Sequence, residues 1–148
     1  MSQPRTIFTI GYEKRSIDDL IWILQTRGIQ RVVDVRLTPF SRRAAFSRKN
    51  LSSSLQAAGI AYEHCRELGN PQEIREIYLA GDAEAGHRLF REHLNNGASA
   101  AIDALAGTLD DQTTALLCLE RDANRCHRLV VAAVAAERLS GEHEVIHL

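Results

Sequence analysis

The chain has 148 residues, 45% hydrophobic and 25% charged, with 18 basic against 19 acidic side chains and a formal net charge of -1. That length corresponds to about one domain, and the balance is ordinary for a soluble globular protein. A near-neutral chain lacks wholesale basic character, so affinity for phosphate or nucleic acid must come from local clustering.

The opening "MSQPRTIFTIGYE" has no apolar core of a secretion signal, and the cysteines number three. No run reaches the roughly 18 apolar residues needed to span a bilayer. The expectation is a cytoplasmic protein with reduced thiols and no membrane partner. Neither repeat nor linker interrupts residues 1-148, which predicts one domain.

Thr6 to Tyr12 is short, β-branched and apolar and predicts a buried strand. Ser16 then opens an amphipathic helix carrying Ile17, Leu20, Ile21 and Leu24, with Gly28 as its stop. Arg31 to Arg36 is the second strand. A loop with Pro39 and Phe40 leads to a helix from about Arg48 to Ala58, closed by Gly59, and Ile60 to Cys65 is the third strand. Asn70 is expected to cap a helix with Pro71 in its first position. The chain to about Ala106 then predicts two or three short helices broken near Gly81 and Gly97. Thr113 to Glu120 is a continuous apolar strand of the kind covered on both faces. A helix from about Asn124 to Leu139 follows, and "EVIHL" forms a terminal strand.

Strands alternating with helices predict an α/β fold, a three-layer α/β/α sandwich with a mostly parallel sheet of about five strands. In such sheets ligands bind beyond the carboxyl ends of the strands. That rule gathers Gly11, Tyr12 and Glu13, Asp34 to Arg36, and Cys118 to Arg128 onto one rim.

Four constellations on that rim carry chemistry. Between Asp34 and Glu63 no residue is acidic, while Arg36, Arg42, Arg43, Arg48 and Lys49 all fall there, a field suited to an anion. Phe40, Phe46 and Tyr62 interleave rings that can stack on a base. The alternative is a solvated loop whose arginines pair with acids elsewhere.

In "CLERDANRCHR", an Asn124 cap would set Arg125, Cys126 and His127 in the first turn of a helix, with Arg128 just beyond. The free amides and dipole there would hold an anion, and Arg125 or Arg128 would fork onto it. Cys126 beside His127 would have its thiolate favoured, although a packed, inert cysteine is the commoner arrangement. Asp34 and Glu120 sit at strand ends among apolar neighbours, where they either perform acid–base work or orient Arg36 and Arg128.

His64, Cys65, Cys118, Cys126, His127 and His147 include enough soft ligands for a metal. Their spacing matches no CxxC or HExxH signature, and His64 and Cys65 would point to opposite faces of a strand. No metal ligand set is assigned. The chain also lacks GxGxxG, GxxxxGK[ST] and GxSxG, and Cys118 begins no Cys-x5-Arg loop.

"TIGYEKRSIDDLIWIL", "VVDVRLTPFSRR" with "FSRKNL", "YEHCRELGNP", "LLCLERDANRCHRLVVA" and the terminal "EVIHL" resemble the DUF488 family of bacterial and archaeal proteins. The resemblance implies a compact α/β/α domain but no reaction. It carries motif positions onto Gly11, Tyr12 and Glu13; Asp34, Val35 and Arg36; Ser41, Arg42 and Arg43; Phe46, Ser47 and Lys49; Cys118 and Glu120; and Cys126, His127 and Arg128. One departure is Ala44-Ala45, where such loops often carry glycine or proline.

The reading that unites these features is a phosphate-bearing ligand, a nucleotide or nucleic-acid end, bound at the carboxyl rim. Gly11, Tyr12, Arg36, Ser41, Arg42, Arg43, Lys49, Arg125 and Arg128 would bind it. Asp34, Glu120, Cys126 and His127 would cleave an N-glycosidic or phosphoester bond. The alternatives are a non-catalytic nucleic-acid-binding module and a metal- or thiol-dependent redox protein, and the cofactor is left open.

Overall fold

A computed structural model describes residues 5–148. Strands β1 (Arg5–Gly11), β2 (Arg31–Asp34), β3 (Ala61–His64), β4 (Thr114–Cys118) and β5 (His143–His147) form one sheet, ordered β3-β2-β4-β1-β5. Every pairing is parallel. The helices are α1 (Ile17–Thr26), α2 (Arg48–Ala57), α3 (Gln72–Leu79), α4 (Ala83–Gly97), α5 (Ser99–Asp111) and α6 (Arg128–Ala136). This is the α/β fold that the alternation predicts. No helix among the described residues is long and apolar enough to cross a membrane.

Strand alternation sorts the core into two. Phe8, Ile10, Val32, Ala115 and Leu117 pack with Leu20, Leu24, Leu51 and Leu55 of α1 and α2. Ile7, Val33, Leu116 and Cys118 face the other way, against Phe90 and Leu94 of α4, Ile102 and Leu105 of α5, and Val130, Val131 and Val134 of α6. The α1 start follows its sequence signal: Ser16 Oγ accepts from the Asp19 amide at 3.0 Å.

Several boundaries differ from expectation, each for a local reason. β2 stops at Asp34 rather than Arg36, because the Asp34 carboxylate accepts the Arg36 amide and turns the chain. β4 stops at Cys118 rather than Glu120, and the Leu119 carbonyl accepts from the Glu13 amide instead. Asn70 does not cap α3. Pro71 occupies that position, and the Asn70 side chain turns inward. The three helices between residues 72 and 111 do break near Gly81 and Gly97, but α4 and α5 run 15 and 13 residues.

The largest correction concerns the last helix. It does not begin at Asn124. Asp122 caps a short 3-10 turn over Ala123–Arg125, accepting the Asn124 amide at 2.9 Å. Cys126 is then extended, and α6 starts only at Arg128 and ends at Ala136. The open helix end expected to cradle an anion around Arg125 to His127 is therefore absent there. The Arg128 amide instead points at Cys126 Sγ, 3.5 Å away.

Candidate functional site

β4 lies between β1 and β2, so three strand ends meet: Gly11 is in register with Cys118, and Asp34 with Leu117. β1 approaches closely because Gly11 has no side chain. A Cβ there would stand 1.8 Å from the Glu120 carbonyl oxygen. The space at Gly11 is filled by protein backbone, and its role is this approach.

Cys118 and Glu120 are two residues apart and share the face turned toward α6, with the thiol 3.6 Å from Glu120 Oε2. The extended backbone at Cys126 drops its thiol beneath the start of α6. His127 then places Nδ1 3.8 Å from Cys118 Sγ and 3.7 Å from Cys126 Sγ. The opposite ring nitrogen, Nε2, meets the Val35 carbonyl at 2.7 Å. A carbonyl only accepts, so Nε2 carries a hydrogen and Nδ1 is the ring nitrogen turned to both sulfurs; burial works against the imidazolium, but the adjoining Cys126 thiolate raises the His127 pKa above its usual value. Phe90 packs edge-on against the ring, centroids 5.0 Å apart.

The electrostatics of this cluster are uneven. Burial resists a Cys126 thiolate, but the Cys118 S–H, His127 and Arg128 outweigh it and hold Cys126 well below the usual thiol range. The same contact with Cys126, together with burial, pushes the Cys118 thiol well up. Burial and the Cys126 charge raise the Glu120 carboxyl.

A second network lies nearby, and it is saturated. Asp34, wholly buried, accepts from Arg36 Nε at 2.9 Å, Arg36 Nη2 at 2.7 Å and the Tyr62 hydroxyl at 2.6 Å, besides the Arg36 amide. Arg36 spends its remaining donors on the Phe46 carbonyl, at 2.7 Å, and the Tyr12 hydroxyl, at 3.3 Å. Burial disfavours the Arg36 charge, but the Asp34 carboxylate more than offsets it and raises the guanidinium pKa. Tyr12 stacks on Phe46 at 4.6 Å. Asp34 thus orients Arg36, the second of the two roles considered for it.

Arg128 is similarly committed. Wholly buried, it donates to Thr9 Oγ1 at 3.1 Å, to the Glu120 carbonyl and to the Arg121 carbonyl at 3.3 Å. It straps the turn after β4 to β1.

A two-lobed cleft opens over the rim. One lobe, of about 580 Å³, is bounded by Tyr12, Arg36, Phe40, Cys118 and Glu120, and the other, of about 510 Å³, by Lys14, Tyr78, Arg121, Arg125 and Cys126. Asn70, Arg75, Leu79, Glu120 and His127 line both. Asn70 Oδ1 is buried in the protein without a hydrogen-bond partner. Tyr78 is oriented by His87, whose Nδ1 lies 2.7 Å from its hydroxyl. Lys14 adopts φ +60°, an uncommon conformation for a residue with a side chain. Another cleft, at the amino end of the sheet beside Arg5, Gln30 and Asp110, contains no cysteine or histidine.

The sequence-predicted residues divide accordingly. Tyr12, Arg36, Arg125, Glu120, Cys126 and His127 meet at the cleft, whereas Gly11, Asp34 and Arg128 support it from behind. Ser41 Oγ accepts the Arg43 amide, and Arg43 itself bonds the Tyr12 and Arg15 carbonyls and lies over the Phe46 ring at 4.5 Å. Arg42 and Lys49 are exposed and line neither lobe. Of the soft ligands, His64 is taken by the Arg36 carbonyl, Cys65 sits beside Glu67, and His147 pairs with Thr9.

Sequence reading missed Lys14, Asn70, Arg75 and Tyr78, which arrive from a loop and from α3 with no signature of their own. It also left Cys118 out of the reacting set. The C-x-E spacing was its available signal, since alternation puts both side chains on one face.

No curated protein and no solved structure matches the chain significantly. A family model, described as a domain of unknown function, matches residues 16–135, most of the chain. The TIGYE segment and the last strand lie outside that range, while the DVR, SRR, C-x-E and CHR positions fall within it. The chain belongs to the DUF488 family.

Proposed function

We propose that the protein binds a phosphate-bearing ligand, a nucleotide or nucleic-acid end, in the cleft and hydrolyses an N-glycosidic or phosphoester bond within it. One observation carries the reading. Glu120 and His127 line both lobes, Cys118 one and Cys126 the other, and Lys14, Arg75, Arg121 and Arg125, none of them in an ion pair among the described residues, share the lining with Glu13, Glu76 and Asp122. Cations around an acid–base group match an anionic substrate that must be held while a proton moves. Phe40 and Leu79, 68% and 72% exposed, offer an apolar flank for a base. Glu120 is the proton-transferring group, because Asp34 has no free face. The thiols fit a reducing, cytoplasmic setting.

A second reading, binding without catalysis, draws on the exposed Arg42, Arg48 and Lys49 beside Phe40. A third, thiol redox chemistry, draws on the Cys118–Cys126 pair. The test is a thermal-shift screen of the untagged chain against nucleotides, sugar phosphates and short single-stranded DNA and RNA, with Arg75→Ala and Arg125→Ala alongside. A true ligand at a hundredfold excess over its Kd should stabilise the fold by about 3 kcal/mol. The proposal expects a small phosphate-bearing hit weakened in both variants, and turnover of it lowered about 10²–10⁴-fold by Glu120→Gln with binding retained. Response to polymers only, falling steeply with salt and indifferent to Glu120→Gln, supports the binding module instead.

A further inference from the structure

We propose that Cys118, Cys126 and His127 bind a divalent transition metal of the zinc class, with a fourth position open toward Glu120 and the cleft. The site stands on its own geometry; its use in hydrolysis rests on the function proposed above.

Zinc takes thiolate sulfur at about 2.3 Å and imidazole nitrogen at about 2.0–2.1 Å, so a tetrahedral site has S···N edges of about 3.6 Å and S···S edges of about 3.8 Å. Here the two S···N separations are 3.8 and 3.7 Å, and the three donor atoms all lie within 4.8 Å of one another. The two S···N edges already match, and the two sulfurs need close by no more than about 1 Å to seat the ion.

The surroundings agree with the distances. The Val35 carbonyl accepts the His127 Nε2 hydrogen and leaves Nδ1 to face the sulfurs, and a metal-bound histidine typically donates its other ring N–H to such an oxygen. The Arg128 amide reaches Cys126 Sγ at 3.5 Å, a donor suited to a thiolate. Cys118, Cys126 and His127 are each at most 5% exposed. Two sulfurs converge on one ring nitrogen in a dry place, and a dication with two thiolates gives a neutral centre there.

A nucleophilic thiol fits less well. The two sulfurs lie almost equally far from His127 Nδ1, at 3.8 and 3.7 Å, and Cys126, the one that His127 favours as a thiolate, is 1% exposed.

The open side follows from the lining. Cys118 borders one lobe, Cys126 the other, and His127 both. Glu120 borders both lobes, its Oε2 3.6 Å from Cys118 Sγ. Three protein ligands and an open position characterise catalytic rather than structural zinc. A water there would give its proton to Glu120. The hydroxide would then form the new bond to phosphorus as the bond to the leaving oxygen breaks, and that oxygen would recover the proton from Glu120.

The test uses the full untagged chain, reduced and stripped of metal, titrated with zinc against a chromogenic chelator and separately with cobalt(II). We expect one zinc per chain, the visible bands of tetrahedral thiolate-bound cobalt, and zinc protection of Cys118 and Cys126, but not Cys65, from alkylation. Cys118→Ser and Cys126→Ser should each weaken zinc binding about a hundredfold or more, with circular dichroism confirming that they fold, and Cys65→Ser should change nothing. Absence of zinc binding overturns the proposal, as does binding that survives both serine variants. A Cys118–Cys126 disulfide whose reduced form takes no metal overturns it in favour of the redox pair. The ligand screen on metal-stripped protein reads phosphate binding separately, and Glu120→Gln, which spares all three metal ligands, reads hydrolysis separately.

Discussion

Two networks of titratable side chains share one sheet rim and differ in how completely their polar atoms are used. Around Asp34 every strong group has its complement: the carboxylate accepts four bonds, and Arg36 finishes on the Phe46 carbonyl and the Tyr12 hydroxyl. Around His127 the account stays open, with two thiols facing one nitrogen, a partly buried carboxylate beside them and, behind the cleft wall, a buried Asn70 oxygen with no partner among the described residues. A satisfied network is scaffold, because breaking it exposes an uncompensated buried charge. An unsatisfied one at a cleft has bonding capacity left for a ligand.

The sharpest way to break this comparison is to truncate one member of each network. Asp34→Ala should cost about 3–5 kcal/mol by urea unfolding, since Arg36 is left buried without its counter-ion. Glu120→Gln should stay within about 1 kcal/mol of the parent, because among the described residues no cation is paired with that carboxylate. Equal losses in the two variants would mean that Glu120 is scaffold as well.

Gly11→Ala gives the next largest effect. The added methyl collides with the Glu120 carbonyl and should cost about 1–3 kcal/mol, and it should also weaken ligand binding by displacing Glu120. An unchanged midpoint would show that the turn after β4 yields freely.

The smallest effect is a pH dependence at His147, which pairs with Thr9 behind Arg128. Burial and then the Arg128 charge lower its pKa below the usual 6.5. The unfolded chain therefore binds this proton more readily than the native protein, so stability should fall as pH drops below about 6.5. His147→Gln should flatten that part of a pH–stability profile, and a profile identical to the parent's would remove His147 as the cause.

Much of the fold was legible in the sequence. β-branched runs alternating with amphipathic segments located the five strands and the first, second and last helices to within a few residues, Ser16 marked the start of α1, and the stretch of α3 to α5 was read only as two or three short helices broken near Gly81 and Gly97. The family followed from ordered motifs. The candidate cleft was half legible: Tyr12, Arg36, Glu120, Arg125, Cys126 and His127 line it, while Arg42, Arg43 and Lys49, grouped with them on charge and on the motif resemblance, do not. The Asn124 cap misled because Asp122, two residues earlier, accepts the Asn124 amide and closes a separate turn, so no helix starts there.

Periodicity and turn chemistry act between residues a few positions apart, and these local signals alone determined the element order, the α/β class and the family. Which polar side chains would be spent on one another depends on contacts between distant segments. Asp34 meets Tyr62 28 residues away, Arg128 meets Thr9 119 away, and His127 meets Val35 92 away. Only the tertiary structure could separate a buried strut from a reactive group, because the two differ in the number of partners within reach and not in residue type.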